Sequence, residues 1–143
     1  MKDAFLSYAK ADAAAVSALR AGLVTAGCQL WYDDAELRAG EPWRDQVRSG
    51  IADARALLVV FSEAWRASPA CDFEHRCASE RRTPVVVVSV GGSLLSIEIP
   101  APLREPAVTW IREESLARTV EATASWLRAC RDPHHAAAPN GPP

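Results

Sequence analysis

Short runs of apolar residues alternate along the chain with longer segments in which apolar residues recur every three or four positions. The short runs predict strands that are buried on both faces, and the longer spacing predicts amphipathic helices. The predicted strands are residues 3–8, 28–32, 56–62, 85–90 and 107–111, and the predicted helices are residues 12–26, 42–54, 69–81 and 114–130. Because parallel strands require crossover connections, this alternation predicts an α/β fold with a parallel sheet.

Five strands with helices between them favour a flavodoxin-like fold, a five-stranded parallel sheet with helices on both faces. In sheets of this kind ligands bind beyond the carboxyl ends of the strands, where the strand order reverses. In a flavodoxin-like order that point lies between the first and third strands, and residues 7–12 and 62–68 flank it. Residues 91–106, which contain several prolines, are predicted to form a loop with at most a helical turn.

Composition limits the number of domains and the class of partner. We expect residues 1–131 to form one domain, and residues 132–143 to be a disordered tail or a linker to a sensor domain, because they offer little to bury. Lys and Arg number 16 and Asp and Glu 18, and this net charge of −2 argues against nucleic acid or an anionic membrane as a partner. The apolar runs are too short to span a membrane and no signal peptide is visible, so we expect a cytoplasmic protein.

The four cysteines show neither a CxxC pair nor the spacing of a metal site, which indicates reduced thiols rather than disulfides. Cys71 and His75 are four residues apart on one predicted helix, as in a metal pair or a thiol–imidazole couple. No third ligand or orienting residue follows at a usable spacing. We therefore expect neither a metal nor a resident cofactor.

Residues 62–74, SEAWRASPACDFE, place a carboxylate at the expected site. Ser68 is predicted to cap a helix that begins at Pro69, where the missing N–H costs nothing. Helical spacing then puts Ala70, Cys71 and Glu74 on one side of the helix. Glu74 is the candidate functional carboxylate, and the alternative is a carboxylate on a solvated helix face.

Three motifs in order resemble those of Toll/interleukin-1 receptor (TIR) domains, and the resemblance extends to about Arg131. The first is DAFLSY at residues 3–8, and the second is LWYDDAELRAGEPWR at residues 30–44, in which Arg38 and Gly40 match the R-x-G of the family. The third is the pattern S-x-x-aromatic-x-x-S-x-x-C-x-x-E. It is formed by Ser62, Trp65, Ser68, Cys71 and Glu74.

The resemblance implies one of two functions, because some TIR domains cleave NAD at the nicotinamide glycosidic bond and others only assemble signalling complexes. In the enzymatic members the glutamate that matches Glu74 is catalytic. A tryptophan commonly precedes the motif cysteine in that group and helps to hold the substrate, whereas this chain has Ala70. Trp43 or Trp65 is a candidate to supply the aromatic surface instead.

A single carboxylate suits the cleavage of NAD. Glycoside hydrolysis ordinarily needs a second carboxyl group to protonate a poor leaving group, but nicotinamide already leaves as a neutral molecule. Glu74 is therefore expected to bind the ribose hydroxyls and to stabilise an oxocarbenium-like transition state. The candidate substrate-binding residues are Phe5, Ser7, Tyr8, Arg38, Trp43, Trp65, Ala70 and Cys71.

For several of these residues another interpretation stays open. Phe5 is equally consistent with plain core, and Arg38 with contact to a neighbouring subunit rather than to substrate. Arg44 and Arg48 are expected on a solvated helix face, and Trp31 in the core.

We expect an NAD glycohydrolase or cyclase that is activated by self-association with other TIR domains in a defence or stress signalling pathway. The alternative is a non-catalytic module that recruits other TIR domains through residues 33–42. A flavin-binding or phosphoacceptor domain is disfavoured, because no phosphate loop or acidic cluster follows the first strand.

Overall fold

The computed structural model describes residues 1–32, 42–89, 103 and 108–132. The strands are β1 (Lys2–Ser7), β2 (Leu30–Trp31), β3 (Ala54–Val60), β4 (Val85–Val88) and β5 (Val108–Trp110). The helices are α1 (Ala13–Thr25), α2 (Trp43–Ala52), α3 (Glu63–Ala67), α4 (Pro69–Glu80) and α5 (Leu116–Ala129), and a 3-10 turn at Lys10–Asp12 precedes α1. The five strands form one parallel sheet in the order β2-β1-β3-β4-β5.

Two separate cores lie on the two faces of this sheet, because successive side chains of a strand point in opposite directions. On one face Leu6 and Leu58 pack in a cluster with apolar residues of α1 and α5. On the other face Phe5 and Leu57 pack in a cluster with apolar residues of α2 and α4. The predicted flavodoxin-like fold is therefore confirmed, including helices on both faces.

The structure differs from the sequence-based prediction mainly between β3 and α4. The segment 62–68 was predicted as a loop, but Glu63–Ala67 forms the short helix α3. Five residues are too few for hydrophobic periodicity to reveal a helix, and the capping serine Ser62 is its clearest signal. The remaining predicted elements are present, with ends that differ by up to two residues.

The strand order reverses at β1, which lies between β2 and β3. The loops that follow β1 and β3 meet there, because the Ser62 hydroxyl donates a hydrogen bond to the Asp12 carboxylate. This contact joins the start of α1 to the start of α3. The predicted functional position at the carboxyl ends of β1 and β3 is thus a closely packed junction.

Aromatic packing fixes the distance between α2 and the sheet. The rings of Phe5 and Trp31 are stacked, with centroids 4.3 Å apart and an interplanar angle of 14°. Both side chains are buried, and Gly50 of α2 lies against them. A Cβ atom at position 50 would lie 2.7 Å from Trp31 Cε2 and 3.0 Å from Phe5 Cε2, so only glycine permits this approach.

We expect Gly50→Ala to destabilise the fold by up to about 2 kcal/mol. Overpacking of a rigid core costs roughly 1–3 kcal/mol, and the higher helix propensity of alanine returns about 1 kcal/mol. Urea denaturation measures the change, and Ser49→Ala at the neighbouring exposed position of α2 is the matched control. A stability gain in Gly50→Ala equal to that of the control would contradict the close contact.

A polar clamp ties the end of α5 to β1. Asp3 is 2% exposed and accepts a hydrogen bond from the backbone N–H of Gln29 at 2.8 Å. The Arg131 guanidinium donates to both carboxylate oxygens of Asp3, at 2.7 and 2.8 Å, and Arg55 lies 3.5 Å away. The hydrogen bond from Arg131 is the largest of the effects that lower the pKa of Asp3.

The cysteines are free thiols, as predicted: Cys28, Cys71 and Cys77 are buried and Cys130 is half-buried. Burial raises the pKa of Cys130 to about 11, so this thiol stays protonated at neutral pH. In the parts of the chain that the structure describes, no helix is long and apolar enough to cross a membrane. The predicted tail beyond Asp132 and most of the predicted loop 91–106 lie outside the described residues.

Candidate functional site

A chain of three buried side chains lies at the carboxyl end of β1. The hydroxyl of Ser7 donates a hydrogen bond to Oε1 of Glu74, with an Oγ–Oε1 distance of 2.7 Å. The indole Nε1 of Trp65 donates to the same Ser7 Oγ at 3.0 Å. Ser7 is fully buried, Trp65 is 5% exposed and Glu74 is 2% exposed. Three residues that the sequence predicted for the site are therefore in direct contact.

The local sequence explains how Trp65 and Glu74 reach Ser7. Ser62 caps α3, since its side chain accepts the backbone N–H of Trp65 at 3.0 Å. Ser68 caps α4 in the same way by accepting the N–H of Cys71 at 3.2 Å. Two caps six residues apart fix the starts of both helices, and Glu74 then lies one turn into α4. The spacing of the motif over residues 62–74 thus has a direct structural cause.

Burial of Glu74 contradicts the alternative of a solvated helix carboxylate. Removing a carboxylate from water is costly unless hydrogen bonds replace the lost hydration, and the Ser7 hydroxyl supplies one of them. An apolar side chain would fill the same position without that desolvation cost. Buried carboxylates held in this way are characteristic of functional sites.

Aromatic rings surround this polar chain on the α2/α4 face of the sheet. The ring centroids of Phe61 and Trp65 are 5.6 Å apart, and those of Trp65 and His75 are 6.3 Å apart in an edge-to-face arrangement. Phe5 is fully buried and stacks on Trp31, so both belong to the core. For Phe5 this supports the core interpretation that the sequence left open.

Trp43 lies farther out, at the start of α2, and packs against Phe73 of α4 with a centroid distance of 5.4 Å. The guanidinium groups of Arg44 and Arg48 lie over the same Phe73 ring, at 4.9 and 5.3 Å from its centroid. Both arginines are exposed, as expected for a solvated helix face. Arg48 is also 3.5 Å from the carboxylate of Asp45.

Two of the predicted substrate-binding residues do not share the buried position of Glu74. Tyr8 follows Ser7 and packs against the core on the opposite, α1/α5 face of the sheet. Ala70 is exposed, whereas Cys71 and Glu74 are buried, so the three do not share one buried side of α4 as the spacing predicted. Ala70 and Cys71 differ by about 100° around the helix axis, which is enough to expose one and bury the other, whereas Ala70 stays one turn from Glu74. Arg38 lies outside the described residues.

Two contributors to this region were not assigned a role from the sequence. Asp12 precedes α1 and resembles an ordinary N-cap, but its carboxylate instead accepts the hydroxyl of Ser62 across the strand junction. His75 is buried next to Trp65. The described residues include no group of three or more His, Cys, Asp or Glu side chains placed to hold a metal ion.

Comparison with known proteins gives a consistent result for most of the chain. The family model for the TIR domain matches residues 4–125. A relative from Paracoccus denitrificans (strain Pd 1222), the NAD(+) hydrolase PdTIR, is 41% identical over 61 residues. That match covers 42% of this chain and 20% of the relative, so the chain aligns with only a fifth of that protein.

Solved structures show the same architecture. The TIR domain of the Toll-related receptor TRR-2 from Hydra magnipapillata superposes with a TM-score of 0.73 at 15% identity, over 92% of this chain and 100% of that domain. The TIR domains of the activated Roq1 resistosome give a TM-score of 0.54 at 27% identity, over 62% of this chain and 57% of that one. Since the family model spans most of the sequence and the fold agrees, the chain belongs to the TIR domain family.

Proposed function

We propose that this TIR domain cleaves NAD at the nicotinamide glycosidic bond, with Glu74 as the catalytic carboxylate. The observation that carries the proposal is the burial of Glu74 at the carboxyl end of β1, with Ser7 donating to it at 2.7 Å. The relative named as an NAD(+) hydrolase supports the same chemistry. The position also agrees with the general location of ligand sites in open α/β sheets.

The chemistry needs one carboxylate and no metal. As the glycosidic C–N bond breaks, the bonding electron pair goes to the pyridinium ring and nicotinamide leaves as a neutral molecule. The positive charge that develops on the ribose is stabilised by the anionic Glu74. Water then attacks C1 of the ribose and loses a proton to give ADP-ribose, or an internal nucleophile attacks to give a cyclic product.

Ser7 and Trp65 act in this scheme as positioning residues. The Ser7 hydroxyl donates to Glu74 and accepts from the Trp65 indole, so the serine proton is directed at the carboxylate. This hydrogen bond fixes the position of one carboxylate oxygen of Glu74. We propose that Trp43 provides an aromatic surface at the outer edge of the site. Arg38 is proposed to contact the substrate or a neighbouring copy of the domain.

Self-association is proposed to be necessary for turnover. Glu74 is only 2% exposed, so a ribose cannot reach its carboxylate in this conformation. Side chains around Glu74 must therefore move before the carboxylate contacts the substrate. Binding of a second TIR domain shifts the population toward the open state if that state makes the better interface. NAD cleavage would then begin only when several copies of the domain associate. This behaviour suits a signalling pathway of defence or stress.

We expect purified protein to release nicotinamide from NAD with a specific activity that rises with protein concentration. The measurement is nicotinamide release by chromatography, with the protein in dilute solution and tethered densely on beads. Constant specific activity over this range would contradict activation by self-association. Absence of nicotinamide release at every density would favour the alternative, a non-catalytic module that binds other TIR domains.

A further inference from the structure

A cavity of about 360 Å³ lies on the face of the sheet opposite to Glu74, at the carboxyl end of β1. This volume is within the range of small-molecule sites, about 300–1,000 Å³. Buried Leu6 and Val16 are among the residues of its wall, and exposed Ala13 and Ser17 of α1 contribute to the same wall. Among the residues that the structure describes, the lining is formed by Leu6, Tyr8, Ala13, Val16, Ser17, Arg20 and Tyr32.

The chemistry of the cavity comes from one arginine and two tyrosines. The guanidinium carbon of Arg20 lies 4.2 Å from the centroid of the Tyr32 ring, a cation–π contact that holds the guanidinium against the ring. A guanidinium group stacked on a ring keeps its N–H donors in its own plane, where they can bind an oxyanion in a bidentate manner. Within the part of the chain that the structure describes, no ion pair is found for Arg20.

The lining residues select the charge of a ligand. None of these described lining residues is acidic, so among them a cation would meet the positive charge of Arg20 without a compensating carboxylate. A purely apolar ligand would desolvate Arg20 without pairing it, which is costly. An anion with a planar ring satisfies both features, because its oxygens pair with Arg20 while its ring contacts the tyrosine and aliphatic walls.

We propose that this cavity is a binding site for a small aromatic oxyanion, with Arg20 as the anion-binding residue and Tyr8 and Tyr32 as contacts for the ring. An aromatic carboxylate and a nucleoside monophosphate share this chemistry. The site is separate from the Glu74 site, since Ser7 at the end of β1 contacts Glu74 whereas Tyr8, the next residue, packs on the opposite face of the sheet. The proposal does not depend on NAD cleavage.

Ligand titration followed by amide NMR tests the site on the wild-type protein. Benzoate is the ring-bearing anion, benzamide keeps the ring without the charge, and acetate keeps the charge without the ring. We expect benzoate to shift the amide signals of Ala13, Ser17 and Tyr32, with a Kd at least about tenfold lower than that of benzamide or acetate. Equal binding of benzamide, or shifts confined to other regions, would overturn the proposal.

A second arm compares AMP with adenosine to distinguish a nucleotide from a free aromatic acid. If the natural ligand is a nucleotide, AMP binds more tightly than benzoate and shifts the same α1 signals, and adenosine does not. AMP shifts that appear only around Ser7 and Trp65 indicate binding at the NAD site. If benzoate also causes no shifts of the α1 signals, the two results together rule out a ligand site on α1.

Substitution of Arg20 tests the role of its charge. We expect Arg20→Met to weaken benzoate binding by about tenfold or more, and Arg20→Lys to restore part of it, since lysine keeps the charge but not the bidentate geometry. Arg118→Met, at an exposed position of α5, is the matched control and should bind benzoate like the wild type. Unchanged benzoate binding by folded Arg20→Met would overturn the assignment, and the wild-type titrations remain decisive if that variant does not fold.

Discussion

Glu74→Gln is expected to lower NAD cleavage by at least about 100-fold, the typical effect of losing one charge-stabilising group in an active site. Glutamine has nearly the same shape and keeps an oxygen that can accept the Ser7 hydroxyl. The substitution therefore removes the negative charge and leaves the packing of α4 in place. The effect is measured as the rate of nicotinamide release, with the protein tethered at a density above which the specific activity of the wild type no longer rises.

Thermal unfolding of the same variant separates a catalytic role from a structural one. Because a buried carboxylate is costly to desolvate, we expect Glu74→Gln to have a Tm equal to or above that of the wild type. Glu80→Gln, an exposed glutamate at the end of the same helix, is the control and should change neither activity nor Tm. Wild-type activity in Glu74→Gln, or equal loss of activity in Glu80→Gln, would contradict the catalytic assignment.

Asp3→Ala is expected to lower the free energy of unfolding by about 1.5–3 kcal/mol, the usual contribution of a hydrogen bond to a charged group. The variant leaves the backbone N–H of Gln29 without its acceptor, and Asp3 is 2% exposed. Arg131 is 42% exposed and can turn to solvent, so the variant leaves no buried unpaired charge behind. Urea denaturation at neutral pH gives the value, with the exposed Asp53→Ala as control.

The effect of Asp3 is also expected to depend on pH. Its pKa in the folded protein is below the ordinary value of 3.8, mainly because of the hydrogen bond from Arg131. The unfolded chain therefore takes up the proton first as the pH falls, and the stabilisation is lost on acidification. The stability difference between wild type and Asp3→Ala should stay constant above about pH 5 and shrink below about pH 4. A difference that grows below pH 4 would show that the clamp is not ionic.

Much of the candidate site was accessible from the sequence because its signals are local. Ser68 was predicted to cap α4, and a cap acts on backbone N–H groups two or three residues away. Ser62 caps α3 in the same way, but that five-residue helix was not predicted. The same short-range geometry placed Glu74 on α4. The hydrogen bond from Ser7 to Glu74 joins residues 67 positions apart, and no local pattern encodes it.

Ala70 shows where local spacing was insufficient. Its position beside Cys71 in sequence suggested a shared buried side of α4, but the helix is rotated so that Ala70 is exposed and Cys71 is buried. The rotation is set by what α4 packs against, namely the sheet and α2. Tyr8 differs for a related reason, since the residue that follows the end of β1 packs on the face opposite to Ser7.

By itself the sequence determined the parallel α/β architecture, since runs of buried β-branched residues between amphipathic helices permit few other arrangements. It also determined the start of α4, because the capping serine Ser68 acts locally, whereas α3 was not predicted. Only the tertiary structure decided the burial of Glu74, the close contact of Gly50 with Trp31, and the cavity beside Arg20. Each of these depends on segments distant in sequence meeting across the sheet, and their distances follow from the packing of whole elements rather than from any short pattern.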